Sequence, residues 1–266
     1  MKHSTGLVRE HPSVRAFHLS HRPYQGHRVG GAEFPASFLQ KVTRLQDQGQ
    51  TPTCFAQAGV SCVEAQRPSP LLDPIDLARE CCRLDGTLPA PGDPLTDGST
   101  ATTLINVLRT RGVCRYRADD LVNLAEQSAE DAEAVTEAPD NRFPTLTHEA
   151  IDPGAPDLEA QLKHAIVSGL GVLWGTPTTA ALQTLEAPWF AHDGCFEGNA
   201  DGHMIRIIGY VAAPNGFDVD WYVQNWWAGW GGAEFFPTLA TLPQTFVCDT
   251  SALRLAWSLD AIGGFS

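Results

Sequence analysis

Three residues whose side chains can cooperate to break an amide bond lie far apart in the chain. Cys54 follows a loop that contains glycine and proline, His203 begins an isoleucine-rich run, and Asn225 follows the run VDWYVQ. A cysteine thiolate is a nucleophile, and an imidazole can accept the thiol proton. The side-chain oxygen of an asparagine can accept a hydrogen bond from one ring nitrogen and so fix the tautomer. The three residues predict thiol nucleophilic catalysis.

Each of the three also has a structural interpretation when taken alone. Cys54 could be a small buried hydrophobic residue, as most free cysteines are, although a position at a helix start would stabilise its thiolate. His203 could be a hydrogen-bonded core or surface histidine. The tryptophans after Asn225 could fill a core at a β-turn, which is the favoured interpretation for Trp230. The chemical prediction rests on the combination.

The elements that must position these residues change in type along the chain. Helices are predicted over 54–66, 72–83, 100–111 and from 157, with Asp73 as an N-cap and Gly112 at a C-terminus. From residue 170 the composition predicts β-strands. The segments that are rich in valine, isoleucine and aromatic residues are LGVLWG, GHMIRIIGYV and FDVDWYVQNWW. A helical front half and a β back half predict an α+β fold with two lobes.

At these residues the sequence resembles the papain-like cysteine proteases, in particular divergent bacterial members. Three segments carry the resemblance, in the family's order: DQGQ with TCFA (47–56), GH with IIGY (202–210), and NWW with GWG (225–231). Weaker landmarks are FPAS (34–37), DGS (97–99) and GCF (194–196). His203 follows Cys54 within the separation of roughly 130–150 residues typical of papain-like enzymes. The resemblance covers residues 34–260.

The resemblance implies a papain-like two-lobe fold, with a helical N-terminal lobe, an antiparallel sheet or barrel as C-terminal lobe, and the active-site cleft between them. We expect a catalytic domain over 34–266, divided into a helical lobe (about 40–120), an acidic excursion (about 121–157) and a β lobe (about 158–260). Residues 1–33 are interpreted as a flexible arm, whose histidines lack ligand-like spacing: His3, His11, His18, His21 and His27.

The resemblance also assigns roles. Cys54 would be the nucleophile, His203 the base and Asn225 the residue that orients the ring, while Gln48 and the Cys54 N–H would stabilise the oxyanion. The expected substrate-binding residues are Gly98, which would pair with an extended peptide backbone, and Asp97, Gly202 and Trp227. Trp227 would also pack over the His203–Asn225 hydrogen bond.

The sequence departs from the family pattern at three positions near these motifs. Thr51 stands where a disulfide-forming cysteine is usual, Phe55 replaces the tryptophan after the nucleophile, and Trp226 replaces a small serine. No inhibitory propeptide is expected within 33 residues, so the activity would either lack control by a zymogen or be controlled by delivery or a partner.

The predicted function is a thiol-dependent peptide-bond hydrolase, with endopeptidase action favoured. Two alternatives use the same scaffold. One is an acyl-transfer enzyme (a deamidase, transglutaminase or isopeptidase) that acts as a delivered effector. The other is a catalytically disabled binding module. The expected partner is a peptide or protein substrate, and the protein is expected to be a monomer.

Composition narrows the other classes of partner and site. A net charge of −13 argues against nucleic acid and anionic membranes as partners. No cofactor is expected, because GLG (169–171) before Gly175 lacks the spacing of a dinucleotide-binding loop. No metal is expected either. A metal site would conflict with a catalytic His203, since its candidate ligands are His192, Asp193, Cys195 and His203. Seven cysteines and no classical signal peptide predict a reducing compartment, so the protein would be cytoplasmic or exported by a specialised secretion system.

Overall fold

The structure is a computed structural model that describes residues 6–21, 23–25, 34–90, 93, 95–116, 132–198, 202–212 and 219–265. No helix in these ranges is both long enough and apolar enough to cross a lipid bilayer.

Three helices form the helical lobe, as the sequence predicts: α2 (Cys54–Gln66), α3 (Pro74–Asp85) and α4 (Ala101–Thr110). The side chain of Asp73 caps α3 by accepting a hydrogen bond from the Ile75 N–H (2.7 Å). Gly86 ends the same helix in the left-handed conformation, with φ of 74°. Local capping therefore sets the bounds of α3.

A large mixed sheet forms the other lobe, with β5 at its centre. Its strands lie in the order β2 (Thr147–Ile151), β10 (Ser258–Gly263), β3 (Gly171–Pro177), β5 (Gly202–Ala212), β6 (Val219–Gln224), β9 (Thr245–Cys248) and β4 (Phe190–Ala191), and β1 (Ser37–Leu39) also pairs with β5. All of these pairs are antiparallel except β4 with β9. A separate hairpin consists of β7 (Gly232–Phe235) and β8 (Ala240–Pro243). The observed fold confirms the predicted α+β class.

Shorter elements connect these parts. The remaining α-helices are α1 (Pro12–His21), α5 (Ala132–Glu137), α6 (Leu158–Val167), α7 (Ala180–Gln183) and α8 (Thr250–Arg254), and 3-10 turns occupy Ala138–Asn141 and Asp193–Cys195.

A buried arginine fastens α2 against the sheet. Arg206 on β5 has no exposed surface, and its guanidinium donates to the carbonyl (3.1 Å) and hydroxyl (2.9 Å) oxygens of Ser61 on α2 and to Gln40 Oε1 (2.7 Å). The Ser61 hydroxyl in turn donates to Gln224 Oε1 on β6 (2.9 Å). This network holds α2, whose first residue is Cys54, against the two strands that lead to His203 and Asn225.

Three segments differ from the sequence-based description. The segment 1–33, expected as a flexible arm, contains α1, and Tyr24 lies in the core. The segment 194–196, which stands where the family usually has a strand before the histidine, belongs to a 3-10 turn and the residue after it. The end of the expected acidic excursion forms β2 within the sheet, while 117–131 lie outside the described residues.

Candidate active site

The loop before α2 is folded tightly enough to fix its side chains. The Gln48 N–H donates to the Trp226 carbonyl (3.0 Å), and the Thr51 N–H and hydroxyl both donate to the Gln48 carbonyl (3.0 and 2.5 Å). Gly49 has φ of +54°, a left-handed conformation that glycine adopts without a Cβ clash. Within this turn Gln48 Nε2 donates to the Thr51 carbonyl (3.0 Å), which fixes the orientation of the carboxamide.

Cys54 is the first residue of α2, and its side chain is fully buried. Its sulfur accepts hydrogen bonds from two backbone N–H groups, those of Gly6 (3.3 Å) and Met204 (3.4 Å). Burial raises the pKa of the thiol from its usual 9.0 to about 11, although these hydrogen bonds act in the opposite direction. The helix start therefore does not by itself give a thiolate, and the covered thiol is protonated at neutral pH.

His203 and Asn225 form a buried pair in the neighbouring strands. His203 Nε2 lies 2.8 Å from Asn225 Oδ1. The Trp226 N–H also donates to Oδ1 (2.8 Å), which identifies that atom as the acceptor. Nε2 therefore carries the ring proton, and Nδ1 is the basic nitrogen of the neutral ring. The Trp227 ring stacks on the imidazole at a centroid distance of 4.9 Å and an interplanar angle of 19°.

The thiol adjoins the backbone of β5 next to His203. Met204 donates its backbone N–H to Cys54 Sγ (3.4 Å), and His203 is the residue before it in the strand. The structure thus brings Cys54, Gln48, His203, Asn225 and Trp227 to the junction between α2 and the strands β5 and β6.

An extended segment of the chain crosses this junction. We call residues 6–8 the strap. The Leu7 N–H donates to the Gly202 carbonyl (2.9 Å), the Val8 N–H donates to the Ser99 carbonyl (3.0 Å), and the Ser99 N–H donates to the Gly6 carbonyl (3.0 Å). The strap therefore lies between the helical lobe, which supplies Ser99, and the β lobe, which supplies Gly202.

Close contacts with the strap explain two glycines. A Cβ on Gly98 would lie 1.4 Å from the Gly6 carbonyl oxygen, so only glycine leaves room for the strap backbone. A Cβ on Gly175 would lie 2.9 Å from Leu7 Cδ2, so Gly175 forms part of the hollow that holds the leucine side chain. The strap pairs its backbone with Ser99, and the expected pairing of Gly98 with a substrate stays a prediction.

Asp97 precedes Gly98 at the edge of the cleft. Its side chain is exposed and accepts from the Thr96 hydroxyl (3.1 Å), and its carbonyl oxygen lies 3.5 Å from Cys82 Sγ, so its expected contact with substrate stays a prediction. Conversely, sequence reasoning missed Met204 and the strap. The strap has a sequence signal, because Gly6, Leu7 and Val8 interrupt an otherwise polar N-terminal region.

The departures from the family pattern are accommodated in the core. Trp226 is fully buried, and its indole N–H donates to the Met204 carbonyl (2.8 Å), so the large residue in the serine position binds β5. Among the described residues no group of His, Cys, Asp and Glu could hold a metal ion. His192 instead accepts a hydrogen bond from the Gly194 N–H (3.1 Å). Gly171 and Gly175 lie in strand β3.

Comparison with solved structures assigns the fold. Xylellain, a cysteine protease from Xylella fastidiosa, superposes with a TM-score of 0.73 at 15% identity, over 98% of this chain and 96% of that one. A digestive procathepsin L 3 from Tenebrio molitor larval midgut gives 0.63 at 17% identity, over 90% and 72%. The ragweed pollen allergen Amb a 11, a cysteine protease in its proform, gives 0.57 at 17%, over 93% and 72%.

The chain therefore has the papain-like fold, as its resemblance implied. No protein-family model matches the sequence, and comparison with curated proteins gives no match.

Proposed function

We propose that the protein is a cysteine peptidase in which Cys54 attacks a peptide carbonyl and His203 shuttles the proton. The observation that carries the proposal is the buried His203–Asn225 pair, stacked under Trp227 and adjoining Cys54 through the Met204 N–H. The papain-like fold of proteases in the comparisons supports the same function.

The reaction follows from the hydrogen-bond assignments. Cys54 gives its proton to His203 Nδ1, and the thiolate forms a bond to the substrate carbonyl carbon. The Cys54 N–H and Gln48 Nε2 donate to the oxyanion. Collapse of the tetrahedral intermediate breaks the C–N bond of the substrate, and the leaving amine takes the proton from His203 Nδ1. Water then gives a proton to His203 and attacks the thioester, and the acid and the free thiol are released.

Asn225 and Trp227 act on the imidazole. Because Asn225 Oδ1 accepts the Nε2 proton, the ring presents Nδ1 to the thiol, and the imidazolium formed after proton transfer keeps this hydrogen bond. Trp227 covers one face of the ring and shields the bond from water.

The strap supports a peptide as substrate. Its backbone pairs with Ser99 and Gly202 on opposite walls of the cleft, so the same walls offer hydrogen bonds to an extended peptide. The hollow occupied by Leu7, against Gly175, would then hold an apolar side chain of the substrate. The docked strap also covers Cys54, so the form described is latent.

The test is digestion of an unfolded protein by the full chain under reducing conditions, read by mass spectrometry. Wild type and Leu7→Ala are compared with Cys54→Ser and with Cys62→Ser, a buried cysteine on the same helix. We expect fragments from every form except Cys54→Ser, and cleavage sites that share an apolar side chain at one fixed position. Uncut substrate would contradict the proposal, and uncut substrate with an altered mass would indicate acyl transfer or deamidation instead.

A further inference from the structure

We propose that a cavity in the β lobe binds a segment of the protein substrate that carries a lysine or arginine beside an apolar residue. The inference rests on the proposed function, because it gives the peptidase a second contact with its substrate. The cavity has a volume of about 630 Å³. We call it the acidic–aromatic cavity after five of its lining residues, which are Trp189, Phe190, Asp220, Glu234 and Phe236.

One face of strand β7 forms a wall of the cavity. Side chains alternate between the two faces of a strand, and the burial along β7 follows this alternation. Ala233 and Phe235 are buried in a small core, whereas Glu234 is exposed and Phe236, directly after the strand, is 61% exposed. Glu234 and Phe236 therefore project from the face that borders the cavity.

The turn that leads into strand β4 forms another wall. Trp189 has φ of +62°, a left-handed conformation that is strained for a bulky side chain. Two backbone hydrogen bonds hold it there. Its N–H donates to the Glu186 carbonyl (2.9 Å), and its carbonyl accepts from the Val247 N–H (2.8 Å). The next residue, Phe190, is 42% exposed, so this turn holds two aromatic side chains at the cavity.

The charged residues of the cavity are carboxylates. Asp220 on β6 and Glu234 on β7 line it, and its described lining residues include no lysine, arginine or histidine. Glu234 forms no ion pair with any residue that the structure describes. Carboxylates attract a cation through their charge, and aromatic rings attract it through their negative faces. The cavity therefore favours a lysine or arginine side chain over an anionic group.

The size of the cavity favours a peptide segment over a lone ion. Pockets of roughly 300–1,000 Å³ hold ligands with several apolar groups and a few polar ones, so this cavity has room for apolar groups beside one cation. The exposed rings of Phe190 and Phe236 would lose contact with water on covering such groups. The carboxylates disfavour an anionic membrane surface at the same place. A basic residue next to an apolar one meets these requirements.

A row of tryptophans connects the cavity with the catalytic imidazole. Trp189 contacts Trp230 edge to face at a centroid distance of 5.4 Å, and Trp230 contacts Trp227 in the same way at 5.2 Å. Trp227 in turn stacks on His203. A substrate that reaches both the cavity and the cleft would be held at two places. Such binding is equal in the ground state and the transition state, so it lowers KM and leaves kcat unchanged.

The test is the binding of acetyl-Leu-Lys-Leu amide to the full chain, in the Cys54→Ser background so that no cleavage occurs. Acetyl-Leu-norleucine-Leu amide is the matched peptide, because norleucine keeps the aliphatic chain and lacks the charge. The readout is the NMR signal of the Trp189 indole N–H, assigned by its loss in Trp189→Phe. We expect a saturable shift, with binding of the lysine peptide about threefold tighter than that of the norleucine peptide. Equal affinities, or no shift, overturn the proposal.

Two pairs of variants locate the binding site. Glu234→Gln should weaken binding of the lysine peptide about threefold, whereas Glu197→Gln, an exposed carboxylate outside the cavity lining, should leave it unchanged. Phe236→Ala should weaken binding of both peptides, whereas Leu239→Ala, at a 71% exposed position between β7 and β8, should not. Wild-type affinity in Glu234→Gln and Phe236→Ala overturns the proposal.

The same substitution tests the consequence for the peptidase. With an unfolded protein as substrate and Cys54 intact, Glu234→Gln should raise KM about threefold and leave kcat unchanged. A wild-type KM in this variant overturns the proposal. Because peptide binding is measured without catalysis, binding at the cavity of a chain that cleaves no substrate would refute the peptidase alone.

Discussion

Leu7 should control how often Cys54 becomes reactive. The side chain is 9% exposed and lies against Gly175, whereas the next residue, Val8, is 48% exposed. Leu7→Ala removes three buried carbon atoms. At about 0.8 kcal/mol for each buried methylene, the strap loses about 2 kcal/mol of docking free energy. Since 1.4 kcal/mol corresponds to a factor of ten, the undocked fraction should rise about 30-fold.

The assay is the rate of alkylation of Cys54 by iodoacetamide at pH 7.5, measured on the peptide that contains it. The thiol has no exposed surface under the docked strap, so only undocked molecules react and the rate follows their population. We expect about 30-fold acceleration in Leu7→Ala and a change within about twofold in Val8→Ala. A wild-type rate in a folded Leu7→Ala, or equal acceleration in both variants, would refute the assignment of Leu7 as the anchor.

Three further substitutions test other parts of the site, with activity measured as kcat and KM on a peptide substrate and stability by urea unfolding. Gln48→Ala should lower kcat by roughly 10²–10³-fold with little change in KM, because one oxyanion donor is lost; an unchanged kcat would remove Gln48 from this role. Asn225→Ala should lower kcat by at least about tenfold, since a hydrogen bond to a charged imidazolium contributes about 1.5–3 kcal/mol, and wild-type kcat would show that the ring needs no orienting partner. Arg206→Ala should lower the free energy of unfolding by about 3 kcal/mol or more, because the buried acceptors on Ser61 and Gln40 lose their donor. Arg83→Ala, at a half-exposed position, should change it by less than about 1 kcal/mol, and equal effects would contradict the role of Arg206 as the fastening residue.

The fold could be predicted because its signals are local. Asp73, Pro74 and Gly86 mark the ends of α3, and the isoleucine and aromatic runs mark β5 and β6. The juxtaposition of Cys54 with His203 and Asn225 depends on long-range packing. It could be predicted only because the three motifs follow one another in the order found in papain-like proteases.

The strap and the attachment of α1 to the sheet could not be predicted in the same way. Leu7 and Val8 form a very short apolar stretch in a polar segment, and the burial of Leu7 depends on a hollow formed by Gly175, which is distant in sequence. The pairing of Arg15 with Asp260 likewise joins residues from opposite ends of the chain. The raised pKa of Cys54 follows from its complete burial, since the position at a helix start alone would have lowered it.

The most direct test of the central claim is the intact mass of the full chain after reaction with a papain-type active-site epoxide. The account predicts a single adduct, located on Cys54, which forms in Leu7→Ala and in Cys62→Ser but not in Cys54→Ser or His203→Ala. Absence of any adduct in Leu7→Ala, or adducts spread equally over several of the seven cysteines, would contradict an assembled thiol–imidazole site.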